Sequence, residues 1–212
     1  MCNRDIKLLI LFFFLITFSQ RAFSQDFRNA YINIGFSKMG NSQKGFDKVY
    51  SMYGAQFSAG KTFYLNKTPI GDILKFGIDA TWIDLNYNYY EVKNNTLFLS
   101  DDRTRHNQAD IAMQVGLSAN LLPADKVNLN AYFRYAPTYS LYLADDLWGN
   151  YANIFVGGLS VSYGVIGLGF EGRFGSTNYK LMSSKNEWEE YYPSNKIKTT
   201  MSGFRAFLTF RF

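Results

Sequence analysis

The chain has 212 residues, a net charge of +5 and an aromatic content of 18%. So small an excess of positive charge gives no indication of a nucleic-acid partner. The single cysteine, Cys2, excludes an intramolecular disulfide and a cysteine-based metal site, and no motif in the chain requires a cofactor.

The first residues have the three parts of a secretory signal peptide. Arg4 and Lys7 provide a charged start, Leu8–Phe18 is an apolar run of eleven residues, and small residues precede the bond after Ser24. A helix needs roughly 20 residues to cross a hydrocarbon layer, so this run is too short to be an anchor. We therefore expect cleavage after Ser24, with residues 25–212 forming one domain.

The rest of the chain alternates between apolar and polar side chains. In Asn107–Leu122 the odd positions from Ala109 to Leu121 are apolar, and the even positions are mostly polar or small. This period of two predicts a β-strand with one apolar face and one polar face. Seven other segments follow the same pattern, so the expected strands are 29–36, 52–64, 74–85, 107–122, 127–139, 152–163, 167–175 and 201–212.

The sixth segment breaks the pattern. Its apolar phase changes between Val156 and Leu159, and Gly157 and Gly158 lie where the phase changes. Such a change within a strand predicts a β-bulge.

A glycine-rich stretch follows, with the letters GLGFEG at Gly167–Gly172. Its spacing matches a dinucleotide-binding motif, but that motif needs a preceding strand and an opening helix, whereas this stretch lies inside an alternating strand. We expect the glycines to relieve crowding instead.

The connections between the segments alternate in length. The long ones are 37–51, 86–106, 140–151 and 176–200, and shorter ones separate them. Long and short connections therefore fall at opposite ends of the sheet, as in an antiparallel up-and-down transmembrane β-barrel with eight strands. The aromatic stretches YNYYEV, LYLADDLWGNY and EWEEYYP lie in the long connections and favour a binding surface there.

Charged residues on the polar faces indicate which side of the wall faces lipid. An arginine facing hydrocarbon costs on the order of 2–4 kcal/mol, so these side chains are expected to point into the barrel. An eight-stranded barrel is just wide enough for its side chains to fill it. The predicted interior polar network is Asp79, Asp110, Arg134, Glu171, Arg173 and Arg205.

Aromatic residues are expected where lipid meets water at the two ends of the wall. The predicted girdle at the long-loop end is Phe36, Tyr53, Trp82, Tyr139 and Phe174. The predicted girdle at the short-turn end includes Phe63 and Tyr163.

The chain ends in FRAFLTFRF, with apolar residues at Phe204, Leu208, Phe210 and the terminal Phe212. With this ending and the eight segments, the chain resembles the small outer-membrane β-barrels of OmpA/OmpX type. The resemblance implies that these four residues form a signal read by the barrel assembly machinery. It also implies a bacterial outer-membrane location in contact with lipid and lipopolysaccharide, but it implies no single activity.

The function favoured by the sequence is a surface scaffold without a large pore, whose four extracellular loops bind a ligand or mediate adhesion. One alternative is an accessory barrel of a secretion or assembly complex. Another is a lipid-modifying enzyme that uses His106, the only histidine, which lies near Ser100, Asp101 and Asp102. Catalysis needs these groups to converge in space, so a solvated loop histidine is the expected state of His106.

Overall fold

The computed structural model describes residues 27–45, 47–93, 103–144, 146–182 and 196–212, so the expected signal peptide lies outside the described residues. None of the described segments forms a helix long and apolar enough to cross a membrane. The strands are β1 (Ala30–Gln43), β2 (Val49–Tyr50), β3 (Tyr53–Tyr64), β4 (Leu74–Lys93), β5 (Arg103–Ala124), β6 (Val127–Leu143), β7 (Leu147–Tyr163), β8 (Ile166–Leu181) and β9 (Lys196–Arg211).

Eight of these strands close into a barrel. Each long strand pairs antiparallel with its neighbours in the chain, and β1 also pairs with β9 along thirteen residues to close the circuit. Phe212 and Ala30 extend this seam, because each backbone N–H donates to the other residue's carbonyl at 3.0 Å. The short β2 pairs with the end of β1 at Gly40 and Asn41. The predicted eight-stranded up-and-down barrel is confirmed.

The strands extend further toward the long-loop end than the sequence predicts. β4 continues to Lys93, β5 begins at Arg103, and only residues 144–146 separate β6 from β7. YNYYEV and most of LYLADDLWGNY are therefore strand and not loop, because their side chains keep alternating between the two faces of the wall. EWEEYYP lies outside the described residues.

The polarity of the barrel is the reverse of that of a soluble protein. Large apolar side chains point outward along every long strand, and charged and amide side chains fill the interior. Exposed examples include Ile34, Phe76, Leu117, Phe133, Leu159, Leu168 and Leu208. This is the arrangement of a membrane-spanning barrel, since the closed wall satisfies its own backbone groups and presents apolar surface to lipid.

A β-bulge in β4 reverses the phase of that strand. The register with β3 and with β5 shifts at Trp82 and Ile83, so that both side chains point outward, at 52% and 49% exposure. Beyond the bulge the even positions face inward, and Asp84 is 1% exposed. Strict alternation would have put Asp84 on the lipid side.

The bulge predicted in the sixth barrel strand is absent. Gly157 lies opposite Phe133 on one side and Gly172 on the other, without a register shift in either ladder. The apolar phase changes in the sequence because Ile154 and Val156 are apolar residues that face inward and are fully buried.

Two of the three glycines of GLGFEG relieve crowding, whereas a Cβ at Gly172 would meet its nearest atom at 3.9 Å. A Cβ at Gly169 would lie 2.3 Å from the ring of Phe207, which points into the barrel, and a Cβ at Gly167 would meet the backbone of β7. Gly169 therefore makes room for an inward-facing aromatic ring, and the expectation that the glycines relieve crowding is confirmed for Gly167 and Gly169.

The inverted polarity predicts that the cost of a charge on the outer wall depends on its height. Leu117→Arg, in the middle of the apolar band, should lower the free energy of unfolding by about 2–4 kcal/mol, because the guanidinium would face hydrocarbon. Asn178→Arg, on the same outer surface near the long-loop end, should cost about 0–1 kcal/mol. Reversible unfolding by guanidinium in lipid vesicles measures both, and equal losses would contradict the assigned membrane face.

Candidate functional site: a sealed barrel and its aromatic mouth

The first layer of the interior is built around Asp79. Arg134 donates to Asp79 Oδ2 through Nη2 at 2.6 Å and through Nε at 3.2 Å. Thr62 and Ser118 donate to the other carboxylate oxygen. The guanidinium also lies over the ring of Tyr132, with Cζ 3.6 Å from the ring centroid. Asp79 and Arg134 are therefore a buried pair whose remaining hydrogen-bonding capacity is largely used.

The second layer is built around Asp84. Arg205 Nη1 lies 2.6 Å from Asp84 Oδ1, and Arg173 Nη1 lies 2.8 Å from Asp84 Oδ2. Arg205 also reaches Glu171 at 3.2 Å, so two arginines face two carboxylates. Gln114 links the layers, because it donates to Asp84 and accepts from Arg134.

Asp84 is the member of the network that the sequence analysis missed. The predicted set contains the other three charged residues of the layer, Arg173, Arg205 and Glu171, but not the residue that binds both arginines. The signal was present as two adjacent apolar residues, Trp82 and Ile83, followed by alternation in the opposite phase. Such a doublet is the sequence mark of a bulge, which re-aims the residues that follow it.

An apolar cluster also fills part of the interior. Its fully buried members include Met39, Ile154, Val156 and Met201, and it extends from Tyr132 beside the ion pairs to Tyr90 near the long-loop end. Close-packed apolar side chains exclude water. The interior thus combines ion pairs with a dry segment, and the barrel is filled.

Asp110 lies in a third layer, and the groups that contact it are neutral. Ser140 donates to its Oδ1 at 2.6 Å and Gln108 at 2.9 Å, while Asn86 donates to Oδ2 at 3.1 Å. The hydroxyl of Tyr179 shares a hydrogen bond of 2.7 Å with Ser140. Unlike Asp79, Asp84 and Glu171, this buried carboxylate is therefore held by neutral hydrogen-bonding groups.

A cavity of about 370 Å³ opens above this layer, at the long-loop end. Its aromatic walls are Tyr142, Tyr179, Trp148 and the imidazole of His106. The remaining lining residues are Asn41, Gln43, Asp47, Val49, Ala144, Ile197 and Thr199. We call this cavity the mouth. Its volume and its mostly apolar lining with a few polar groups match those of small-molecule sites.

The tyrosines of the mouth stay protonated in neutral solution. Burial raises the pKa of Tyr142 to about 12. Burial, followed by the charge of Asp110, raises the pKa of Tyr179 well above its ordinary value. The outward neighbours of Tyr179 are Asn178 and Lys180, so this level lies beyond the apolar band. The rings therefore present uncharged faces to the cavity.

His106 is part of this wall and not a loop residue. It lies in β5, and its ring stacks on Tyr142 with centroids 5.5 Å apart and an interplanar angle of 22°. The expectation of a solvated loop histidine was therefore wrong, because β5 extends beyond its predicted start. Ser100, Asp101 and Asp102 lie outside the described residues. Within the part of the chain that the structure describes, no three His, Cys, Asp or Glu side chains form a metal-binding group.

The longer strands move part of the predicted long-loop girdle into the middle of the wall. Phe36, Trp82 and Phe174 lie near the centres of β1, β4 and β8. Trp82 packs edge-on against Phe63 with centroids 6.2 Å apart, although the sequence analysis assigns these two rings to opposite girdles. The assignment of Phe36, Trp82 and Phe174 to the interface girdle stays a prediction.

The tyrosines of that girdle lie closer to its expected height. Tyr53 stacks on Tyr89 at 4.9 Å, and Tyr139 packs edge-on against Tyr151 at 5.4 Å. At the short-turn end, Tyr163 is the last residue of β7 and is exposed. The C-terminal residues Phe204, Leu208, Phe210 and Phe212 occupy the outward-facing positions of the final segment.

No family model matches this chain, and no curated protein matches it. Among solved structures, it is similar to the Neisserial surface protein A, NspA, with 13% identity over 86% of this chain and 97% of that one, at a TM-score of 0.49. It is also similar to Ail, the attachment invasion locus protein of Yersinia pestis, in complex with the heparin analogue sucrose octasulfate. That identity is 8% over 88% of this chain and 100% of the other, at a TM-score of 0.44.

A third similar structure is the outer membrane protein OprG from Pseudomonas aeruginosa. The identity is 11% over 89% of this chain and 98% of that one, at a TM-score of 0.39. These overlaps are loose, so the fold assignment rests on the strand pairing and on the inverted polarity of the wall.

The ion-pair geometry predicts that Asp84 contributes more to the free energy of unfolding than Asp110 does. Asp84→Asn leaves the buried Arg173 without its carboxylate and Arg205 with Glu171 alone, and it should lower the free energy of unfolding by about 3–5 kcal/mol. Asp110→Asn keeps neutral partners and should cost about 1–2 kcal/mol. Guanidinium unfolding in vesicles compares the two variants, and a larger loss for Asp110→Asn would refute the assigned roles.

Proposed function

We propose that this protein is an integral barrel of the bacterial outer membrane that forms no large pore and binds a surface ligand at its long-loop end. The observation that carries the proposal is the inverted polarity of a closed wall, apolar outside and ionic inside. A barrel of this kind is stable in hydrocarbon, where every backbone group must find its partner within the protein.

The absence of a large pore is supported by the filling of the interior. The layers of Asp79 and Asp84 are linked by Gln114, and the apolar cluster adjoins them. Eight-stranded barrels have an interior just wide enough for side chains. Together these groups leave the mouth as a closed-ended cavity instead of a channel entrance.

The route to the membrane completes the proposal. Residues 1–24 direct export and are removed, and the assembly machinery recognises the outward-facing Phe204, Leu208, Phe210 and Phe212. The inserted wall then contacts lipid and lipopolysaccharide. Binding is assigned to the long-loop end because the strands there carry the mouth, with its aromatic walls and polar edge.

The filled interior predicts the electrical behaviour of the purified barrel. Inserted into planar bilayers, the protein should give little stable conductance, because ion pairs and apolar side chains close the path. Retention of the heat-modifiable folded band on a gel provides the control for correct insertion. Large, steady channels from the folded protein would show that the interior layers do not seal it.

The seam predicts two separable effects at the C-terminus. Phe212→Ala keeps the reciprocal backbone hydrogen bonds with Ala30 but removes the terminal ring, so it should reduce assembly in cells while leaving refolding in vitro nearly unchanged. Deleting Phe212 removes both features and should weaken both processes. Folded protein in isolated outer membranes and refolding yield into vesicles provide the two readouts. Wild-type assembly of Phe212→Ala would reject the terminal signal.

A further inference from the structure

The charges inside the barrel are distributed unevenly along its axis. The carboxylates Asp79, Asp84 and Glu171 each contact an arginine. Asp110, closer to the mouth, is 2% exposed and accepts its hydrogen bonds from amide and hydroxyl groups. The arginine layers therefore pair their own acids, while the buried layer below the mouth keeps a carboxylate whose hydrogen-bond partners are uncharged and on which Arg205 acts only through space.

The lining of the mouth carries negative charge, as the layer of Asp110 below it does. Among the described residues that line it, Asp47 carries the one formal negative charge, and none of them is a lysine or arginine. Tyr179 connects the lining to Asp110 through Ser140, so the two acids flank the cavity at its edge and below its floor. Low-dielectric walls strengthen the field that such charges produce in a cleft.

The aromatic walls favour positive charge as well. Tyr142 packs against Tyr179 with centroids 5.7 Å apart, and its ring is stacked with His106. Trp148 lines the same cavity. The face of a Tyr or Trp ring is the negative part of its quadrupole and attracts ammonium groups within about 6 Å of the centroid.

We propose that the mouth binds a small organic cation, an ammonium group bearing an apolar substituent, between its aromatic walls and the carboxylates of Asp47 and Asp110. The apolar part would contact Val49 and Ile197, and the ammonium would lie over the rings of Tyr142 and Trp148. The site deepens the proposed surface-binding function by naming its ligand class.

Cation selectivity is tested with choline and its uncharged isostere 3,3-dimethylbutan-1-ol, which have nearly the same shape. Isothermal titration calorimetry uses the folded mature barrel in octyl glucoside, since detergents with choline headgroups would compete. Choline should bind at least about tenfold more tightly, because the cation–π and carboxylate attractions act on the charge alone. Equal affinities, or no binding of choline, would overturn the proposal.

Two variants test whether choline binds in the mouth. Tyr142→Leu keeps apolar bulk but removes a ring face and should weaken choline binding about tenfold. Asp47→Asn, at the exposed edge, should weaken it a few-fold without disturbing the buried layers. Tyr151→Leu, on the outward face of β7, is the matched control and should bind choline as the wild type does. Unchanged binding by both Tyr142→Leu and Asp47→Asn would place choline elsewhere and refute the site.

The choline-binding experiment and the tests of the proposed membrane function can fail independently of each other. Heat-modifiability and the absence of conductance test the sealed barrel without any ligand. A correctly inserted, non-conducting barrel that does not bind choline would reject the organic-cation site alone. Loss of insertion or a large conductance would reject the broader proposal.

Discussion

The structure depends on the need to neutralise charge inside a barrel too narrow to hydrate it. Asp84 satisfies this need for two arginines at once, with contacts of 2.6 Å to Arg205 and 2.8 Å to Arg173. A buried charge without a partner costs several kcal/mol. Removing one member of the layer therefore destabilises the protein, because a charge that it contacted loses a partner. The outer face of the wall then carries mostly large apolar side chains.

The bulge in β4 makes this arrangement possible. One extra residue in β4 turns Trp82 and Ile83 outward together and brings Asp84 inside. The same local irregularity thus keeps two large apolar side chains on the lipid face and provides the carboxylate that the interior requires. A single β-bulge therefore determines both the outward-facing and the inward-facing side chains at this point of β4.

The filled interior also bears on where we propose that binding occurs. Ion pairs and the cluster around Ile154 and Met201 occupy the barrel as far as Tyr90 and Asp110. Above them the strands continue past the apolar band, and their inward positions carry Tyr142 and Tyr179 instead of arginines. The extension of the strands therefore forms a small aromatic cavity on a rigid wall, where a site is held more accurately than on loops.

The sequence by itself determined the fold class, because alternation is a local property and eight alternating segments with sorted connections leave few architectures. It also determined the face of Asp79, Arg134 and Arg205, each of which follows the period of its own strand. Tertiary structure decided what those residues contact, how far the strands extend and that His106 lies on a cavity wall. It also placed Asp84 inside. These features depend on strand register and on distances across the barrel. No local pattern specifies either of them, because the residues concerned are as far apart in the chain as Asp84 and Arg205.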